Sequence, residues 1–247
     1  MVAGATRAST EPLGGPMNVL SWFSDPANWS GPSGIPTRLS EQLFITIVAV
    51  GIAALIALPV GIATGHLGKG SAVVTSIANL GRAIPTFALL LLLAAVGGVG
   101  VDAAIIALVI FAIPPILTNA NIGIANVDPA ARNAGRAVGF TGKQLLWQIE
   151  FPLGLPLIFA GLRTATVQVT ATATLAALVG GGGLGRFILD GFALQDTTMV
   201  LAGVVLVAFV TMTMEALLAL TQGIIARRIG RAKGGFDSSL LGVLRSN

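Results

Sequence analysis

The chain has 247 residues, of which 54% are hydrophobic and 10% are charged, whereas ordinary soluble domains carry about 25% charged residues. With a mean hydropathy of +0.89 and several apolar runs of spanning length, it is predicted to be an all-α membrane protein rather than a soluble one. The absence of cysteine excludes disulfides, thiol catalysis and cysteine-based metal sites. The net charge of +4 is attributed to membrane topology rather than to nucleic acid binding, because basic residues beside spans set orientation.

Residues 1–40 are predicted to form an N-terminal segment outside the spans, because they are rich in Gly, Pro, Ser and Thr. Within this segment, residues 19–23 are predicted to form a short turn on the membrane surface, with Trp22 and Trp29 near the interface. A flexible tail is the alternative, since the same composition is common in disordered segments.

About five transmembrane spans follow. Apolar runs predict them at residues 42–65, 72–96, 103–117, 157–179 and 198–226. In the first span, Gly61 and Gly65 form a small-xxx-small pair that would let another helix approach closely. The third span is predicted to end at about Leu117, with Pro114 and Pro115 near its end.

Five spans place the two termini on opposite sides of the membrane. Basic residues concentrate in the loop after the first span, in the long polar loop at 126–152 and in the C-terminal region. Because Lys and Arg mark the cytoplasmic side, these regions are predicted to be cytoplasmic and the N-terminus external. The predicted organisation is an external segment at 1–40, a transmembrane domain at 41–228 and a cytoplasmic tail at 229–247.

The polar loop at 126–152 is predicted to contain two short helices joined at an angle. Asp128 is expected to be the N-cap of the first helix, with Pro129 as its first residue. Gly139 follows the helix at a position that suits a left-handed C-terminal cap.

The second helix of this loop is predicted from its own capping residues. Thr141 and Gln144 have the spacing of a capping box, and Phe140 and Leu145 have that of a hydrophobic staple. Pro152 is predicted to end this helix, because the residue before a proline is disfavoured in the helical region.

Residues 180–185, Gly-Gly-Gly-Gly-Leu-Gly, match the G-x-G-x-x-G pattern of dinucleotide sites. An apolar helix rather than a strand precedes them, so a helix-breaking or re-entrant turn is predicted instead. No G-x-x-x-x-G-K-[ST] motif occurs, which excludes ATP hydrolysis through a P-loop. The lone His66 is predicted to be a plain loop residue, and no residue set supports an intramembrane enzyme.

Polar residues in the spans are candidates for a solute pathway. Thr164, Gln168 and Thr172 form one stripe of the fourth span, which either lines a pathway or makes interhelical hydrogen bonds. A second stripe consists of Thr166, Thr170 and Thr174. The predicted pathway residues are Arg82, Pro85, Asn119, Asn121, Thr164, Gln168 and Thr172.

Charged residues within spans are costly and are therefore paired, directed toward the interface or functional. Arg82 precedes Pro85, where a broken helix would expose polar backbone, which makes it a pathway candidate. Arg163 is predicted to extend toward the membrane interface. Glu215 is predicted to be a pathway residue, a pairing partner or an interface residue.

Two functional classes are compatible with these features, namely a transport subunit powered by another protein and a self-sufficient ion-coupled carrier or channel. Carriers usually show internal repeats and buried carboxylates, whereas this sequence shows neither a repeat nor a cluster of carboxylates. Five spans are few to enclose a pathway, which favours a dimer with the pathway at the subunit interface.

The polar loop also resembles the EAA loop, E-A-A-x-x-x-G-x9-I-x-L-P, of bacterial binding-protein-dependent ABC permeases. Gly139, Ile149 and Pro152 match that pattern. Elsewhere the chain departs from it, with Asn133 for Glu, Gly135 for the second Ala and Phe151 for Leu. Residues 82–90, 114–129 and 173–185 resemble the quaternary-amine branch, whose solutes are glycine betaine, carnitine and choline.

The resemblance implies a type I importer permease in the cytoplasmic membrane, surrounded by lipid and without a cofactor of its own. Its implied partners are a second permease subunit (a paralogue or an identical copy), an ATPase dimer that uses ATP and Mg, and a separate external binding protein. The ATPase-coupling residues implied are Asp128, Ala130, Asn133, Ala134, Gly135, Arg136, Gly139, Lys143, Ile149 and Pro152. A permease for an amino acid or a thiol-betaine is the alternative.

Overall fold

The structure is a computed structural model that describes the backbone of residues 16–245 and the side chains of residues 19–81, 83–225 and 227. The elements of this part of the chain are helices. They are α1 Pro16–Ser24, α2 Ile35–Leu67, α3 Ser71–Ala83, α4 Thr86–Gly97, α5 Val101–Ala125, α6 Pro129–Ala137, α7 Gly142–Leu145, α8 Phe151–Thr172, α9 Gly185–Leu194 and α10 Thr197–Arg245. A π-helical turn covers Leu146–Glu150, and 3-10 turns cover Pro26–Trp29 and Ala173–Val179.

Within the described residues, four continuous helical stretches are long and apolar enough to cross a membrane. They are Ile35–Leu67, Val101–Ala125, Gly142–Val179 and Thr197–Ile225. The pair Ser71–Gly81 and Thr86–Gly97 forms a fifth span if it is counted as one, and it is bent by 79°. The predicted number of spans and the predicted break near Pro85 are therefore confirmed.

The prediction that the third span ends at about Leu117, shortly after Pro114 and Pro115, is wrong. Both prolines lie inside α5, which continues to Ala125. The side-chain amide of Asn119 donates to the carbonyl of Pro115 at 2.8 Å. Prolines are tolerated in such a helix because neighbouring helices and polar side chains compensate for the disturbed backbone bonds.

The prediction that Pro152 ends the second loop helix is also wrong, and the helix that contains the predicted fourth span starts well before residue 157. Helix α7, the π-helical turn and α8 are continuous, with Pro152 in the first turn of α8. In the π-helical turn the N–H of Phe151 donates to the carbonyl of Leu146, five residues earlier. This wider turn accommodates a proline that would conflict with a carbonyl in a regular α-helix.

Helices α2, α5 and α8 form the centre of the bundle, where small residues allow close approach. A Cβ added to Gly65 of α2 would lie 2.6 Å from the carbonyl oxygen of Asn121 in α5. A Cβ added to Gly154 of α8 would lie 2.7 Å from the carbonyl oxygen of Gly123. The backbones therefore meet directly at both crossings, which confirms the predicted close approach at Gly65.

The glycine-rich segment after α8 is a turn that breaks the helix, as predicted, and Gly182 and Gly183 have φ of 80° and 82°. The N–H of Gly183 donates to a carboxylate oxygen of Glu41 at 2.7 Å. Gln42, which is buried, donates to the carbonyl of Thr170 at 2.7 Å. The turn is thus held against the first turns of α2.

The predicted short turn at residues 19–23 belongs to helix α1. Trp22 packs edge-on against Phe187 of α9, with ring centroids 5.4 Å apart. Its position relative to a membrane stays a prediction, and residues 1–15 lie outside the described residues.

Candidate functional site

The first helix of the polar loop, α6, has the predicted caps. The Asp128 carboxylate accepts a hydrogen bond from the N–H of Ala130 at 2.8 Å, and Pro129 is the first helical residue. Gly139 has a φ of 86°, and the N–H of Phe140 donates to the carbonyl of Gly135 at 3.0 Å. This six-to-one bond around a left-handed glycine is a Schellman motif, so the angle between α6 and α7 is fixed locally.

The second helix, α7, begins with the predicted capping box between Thr141 and Gln144. The two loop helices close around Gly135, which is buried. A Cβ at this position would lie 2.5 Å from Cδ1 of Ile149 and 3.0 Å from Cδ1 of Leu145. Glycine in place of the second alanine of the EAA pattern therefore allows the two helices to pack more closely.

The opposite side of the loop is exposed and carries most of the predicted coupling residues. The exposed ones are Asp128, Ala130, Asn133, Ala134, Arg136, Gly139 and Lys143, whereas Ile149 and Pro152 are half-buried. Val138 and Trp147, which sequence reasoning did not select, are 72% and 54% exposed. A rigid face with basic and large apolar side chains is suited to binding another protein.

Three charged or polar side chains, Glu150, Arg132 and His66, meet beneath the loop and are called the Glu150 cluster below. Glu150 lies in the π-helical turn with its side chain 1% exposed. One of its carboxylate oxygens lies 3.0 Å from Nε of Arg132, and the other lies 2.5 Å from Nδ1 of His66. Arg132 also donates to the carbonyl of Ile124 at 2.6 Å.

The prediction that His66 is a plain loop residue is wrong, because it lies in the last turn of α2 and contacts Glu150. Sequence reasoning also missed Glu150 and Arg132 as a pair. The available indication was a carboxylate two residues before the proline that follows the polar loop, at a position where an apolar span begins.

A polar pocket of about 340 Å³ lies between α8 and α10. It is lined by Ala160, Arg163, Thr164, Val167, Gln168, Glu215 and Gln222. The guanidinium of Arg163 donates to both carboxylate oxygens of Glu215, and its Nη1 lies 2.7 Å from the side-chain oxygen of Gln222. Arg163 is therefore paired with Glu215, rather than extended alone toward the membrane interface as predicted. For Glu215, the structure shows the predicted role of pairing partner.

The structure places the other predicted pathway residues in different surroundings. Thr172 borders a small apolar void beside α4 and α5. Asn121 is buried and donates to the hydroxyl of Thr64 at 2.9 Å, which gives it a packing role that was not predicted. Pro85 is exposed at the bend before α4, and the side chain of Arg82 lies outside the described side chains.

The two polar stripes, which lie on α8 except for Thr174 in the following 3-10 turn, differ in their hydrogen bonds. Thr164 and Gln168 are exposed in the wall of the polar pocket. In the second stripe, the hydroxyls of Thr166, Thr170 and Thr174 each donate to a backbone carbonyl of the preceding helical turn. Such bonds within one helix account for the second stripe without an interhelical partner.

The family model for the binding-protein-dependent transport system inner membrane component matches residues 56–231. The glycine betaine/carnitine/choline transport system permease protein OpuCB of Bacillus subtilis is 34% identical over 185 residues, or 75% of this chain and 85% of the relative. The carnitine transport permease protein OpuCB of Listeria monocytogenes is 37% identical over 175 residues, or 71% and 80%. The osmoprotectant import permease protein OsmW of Salmonella typhimurium is 34% identical over 189 residues, or 72% and 85%.

Solved structures share the fold. An inward-facing structure of the MetNI methionine ABC transporter matches 83% of this chain and 98% of the other, with a TM-score of 0.67 and 23% identity. An amino acid ABC transporter crystallised with histidines matches 83% and 97%, with a TM-score of 0.66 and 20% identity. At these identities the likeness defines the architecture, which is that of a type I importer permease, as predicted.

Proposed function

The chain belongs to the family of binding-protein-dependent transport system inner membrane components, and from this we propose that it is the permease subunit of an ATP-driven importer of osmoprotectants. The supporting observation is 33–37% identity over most of the chain to permeases named for glycine betaine, carnitine and choline. Members of this family are membrane components of transport systems, so ATP hydrolysis belongs to a separate subunit. The proposed solutes are small quaternary amines.

The exposed face of α6 and α7 is the proposed docking surface for the ATPase. Its support is the local rigidity of the loop, since both helices are capped and Gly135 lets them pack together. Arg136 and Lys143 supply positive charge, and Val138 supplies an apolar contact. On this proposal the end of the bundle that carries the loop is cytoplasmic, and a separate binding protein delivers solute at the opposite end.

The polar pocket is proposed to form part of the solute pathway when two permease subunits pair. The side chains of Arg163 and Glu215 are 30% and 40% exposed in a chain segment of spanning character. Charged groups at that depth face a bundle interior or water rather than lipid. A second subunit or a hydrated pathway must therefore cover this face, and Thr164 and Gln168 would then contact passing solute.

The decisive experiment is reconstitution of the chain in liposomes with the ATPase and the external binding protein of the same transport system. We expect uptake of labelled glycine betaine that requires ATP and the binding protein, with choline and carnitine as competitors. Uptake driven by an ion gradient without ATP would overturn the proposal. Competition by amino acids but not by quaternary amines would replace the proposed solute class.

The coupling loop has its own test in the left-handed position of Gly139. A Cβ there would meet no atom within 4 Å, so Gly139→Val adds backbone strain without a steric clash. We expect ATP hydrolysis to continue while uptake falls, because valine disfavours a positive φ and would change the angle between the loop helices. Gly31→Val is the matched control, since Gly31 has a φ of 78° and equally open surroundings outside the loop.

A further inference from the structure

Packing alone does not explain why a carboxylate, Glu150, is buried beneath the loop. Its side chain is 1% exposed, and both of its oxygens contact charged or polar nitrogens. An ionised carboxylate is costly to bury unless it is paired and hydrogen-bonded, and an apolar side chain of similar size would pack there without that cost. The polar arrangement therefore indicates a requirement for specific geometry at this point.

The partners of Glu150 come from different parts of the fold. Arg132 belongs to α6 and also donates to the carbonyl of Ile124 in the last turn of α5. His66 belongs to the last turn of α2, and a Cβ added to Gly142 of α7 would lie 3.6 Å from its other ring nitrogen. The cluster thus joins the ends of α2 and α5 to α6 and to the π-helical turn.

Apolar packing also joins this end of the loop to the bundle, because Leu146 packs against the buried cluster of Ala120, Ile124 and Ile158. Directional polar contacts are fewer. Among the side-chain hydrogen bonds and ion pairs of the described residues, those of the Glu150 cluster alone link residues 129–150 with α2 and α5. The rest hold the loop to itself or to its own caps. The covalent connection from α5 to α6 is a short loop, and the charged contacts of the Glu150 cluster add a second connection at this end of the bundle.

We propose that Glu150 is a positioning residue for energy coupling, which with Arg132 and His66 transmits movement of the α6–α7 loop to α2 and α5. The proposal rests on the docking function assigned to this loop above. When the ATPase moves the loop, α2 and α5 move with it because the cluster holds their ends. Without the cluster α6 and the π-helical turn are no longer held to the end of α2 by charged contacts, and hydrolysis is less well matched by transport.

The test measures solute uptake per ATP hydrolysed in liposomes that contain the full transporter. Glu150→Gln keeps the shape and an acceptor oxygen but removes the charge. Arg132→Lys keeps the charge, but a single ammonium group lacks the reach to contact Glu150 and the carbonyl of Ile124 together. We expect each variant to lower uptake per ATP by about tenfold, the change in rate that corresponds to about 1.4 kcal/mol.

Three controls separate coupling from folding. If Glu150 and Arg132 act through the same contact, the double variant Glu150→Gln with Arg132→Lys should lower the uptake per ATP no further than either single variant does. Asp190→Asn removes a half-buried ion pair with Arg186 on α9, far from the loop in sequence, and should leave the uptake per ATP unchanged. Co-purification of the ATPase and the midpoint of thermal unfolding report whether each variant assembles.

His66→Gln provides an independent variant, because the His66 side chain is 22% exposed and its loss perturbs packing less. Absence of uptake by the wild-type transporter would refute the proposed function rather than the role of Glu150. If the wild type transports, an unchanged ratio in assembled Arg132→Lys and His66→Gln transporters overturns the proposal. A lowered ratio with normal assembly supports it, even if Glu150→Gln fails to fold.

Discussion

The start and the middle of the long helix that includes α8 both carry charged side chains, but they hold them differently. Glu150 at the start is 1% exposed and is fixed by residues from α2 and α6. Arg163 in the middle is 30% exposed and pairs with Glu215 at the edge of a pocket of about 340 Å³. A buried charge must keep its partners, whereas a half-exposed pair can exchange them for water or solute.

The same contrast appears in the packing of the backbone. Near the loop, Gly154 brings α8 into direct backbone contact with Gly123 of α5. Farther along, Thr164 and Gln168 turn toward the pocket and are exposed. One helix therefore combines a rigid section, suited to transmitting movement from the loop, with an adaptable section suited to solute passage.

The largest loss of stability is expected when the rigid section loses its buried charge. Glu150→Ala leaves Arg132 and His66 without their shared partner, and we expect it to cost about 3 kcal/mol. The measurement is the midpoint of thermal unfolding of the purified transporter. Asp190→Asn, which breaks an ion pair between side chains that are each 36% exposed, should cost about 0.5 kcal/mol or less. Equal shifts of the thermal midpoint in the two variants would contradict the contrast between the buried Glu150 and a half-exposed ion pair.

A smaller loss is expected from a single methyl group at the helix crossing. Gly154→Ala places a Cβ 2.7 Å from the backbone oxygen of Gly123, which cannot move aside as a side chain can. We expect a cost of about 2 kcal/mol from the enforced separation of α5 and α8. The control Gly51→Ala has open surroundings in α2 and should stabilise by up to about 1 kcal/mol through helix propensity. If Gly154→Ala and Gly51→Ala changed the free energy of unfolding in the same direction, the crossing of α5 and α8 would tolerate a wider spacing.

The adaptable section is tested by chemical access rather than by stability. Because the chain has no native cysteine, Thr164→Cys and Gln168→Cys create single reactive sites. We expect both to react with a water-soluble thiol reagent in the assembled transporter, and transported solute to slow the reaction. Val169→Cys, at a position that is 0% exposed, should stay unreactive. Protection from reagent at both pocket positions would place that face against lipid or protein instead.

The smallest effect is expected from a hydroxyl that serves its own helix. Thr166 donates to the carbonyl of Leu162 at 2.8 Å, which retains its backbone partner when the hydroxyl is removed. Thr166→Val should therefore change stability by less than about 1 kcal/mol and leave uptake unchanged. A strong loss of uptake in this variant would mean that the second stripe, and not only the first, contacts solute.

The features that were predictable from sequence depend on neighbouring residues. The caps at Asp128, Gly139 and Thr141 were predicted correctly because each bond spans only a few residues. The number of spans followed from hydropathy alone. Pro152 was misjudged because local rules place a helix end before proline, whereas the π-helical turn allows the helix to continue.

The charged clusters were beyond sequence reasoning for a different reason. His66 and Glu150 are 84 positions apart, and Arg163 and Glu215 are 52 positions apart. No helical periodicity relates residues at such separations, so their pairing depends on the tertiary arrangement of α2, α8 and α10. Sequence identified the polar residues, and the fold determined which of them meet.

The π-helical turn at Leu146–Glu150 has a geometric consequence for the whole span that follows it. Each residue of an α-helix advances the side-chain direction by about 100°, so the number of residues in the turn sets the angular offset between loop and span. With five residues, Glu150 faces the bundle while Thr164 and Gln168 face the pocket. The turn is an angular spacer, because its hydrogen bond closes over five residues rather than four and it therefore accommodates one extra residue between the loop and the pocket wall.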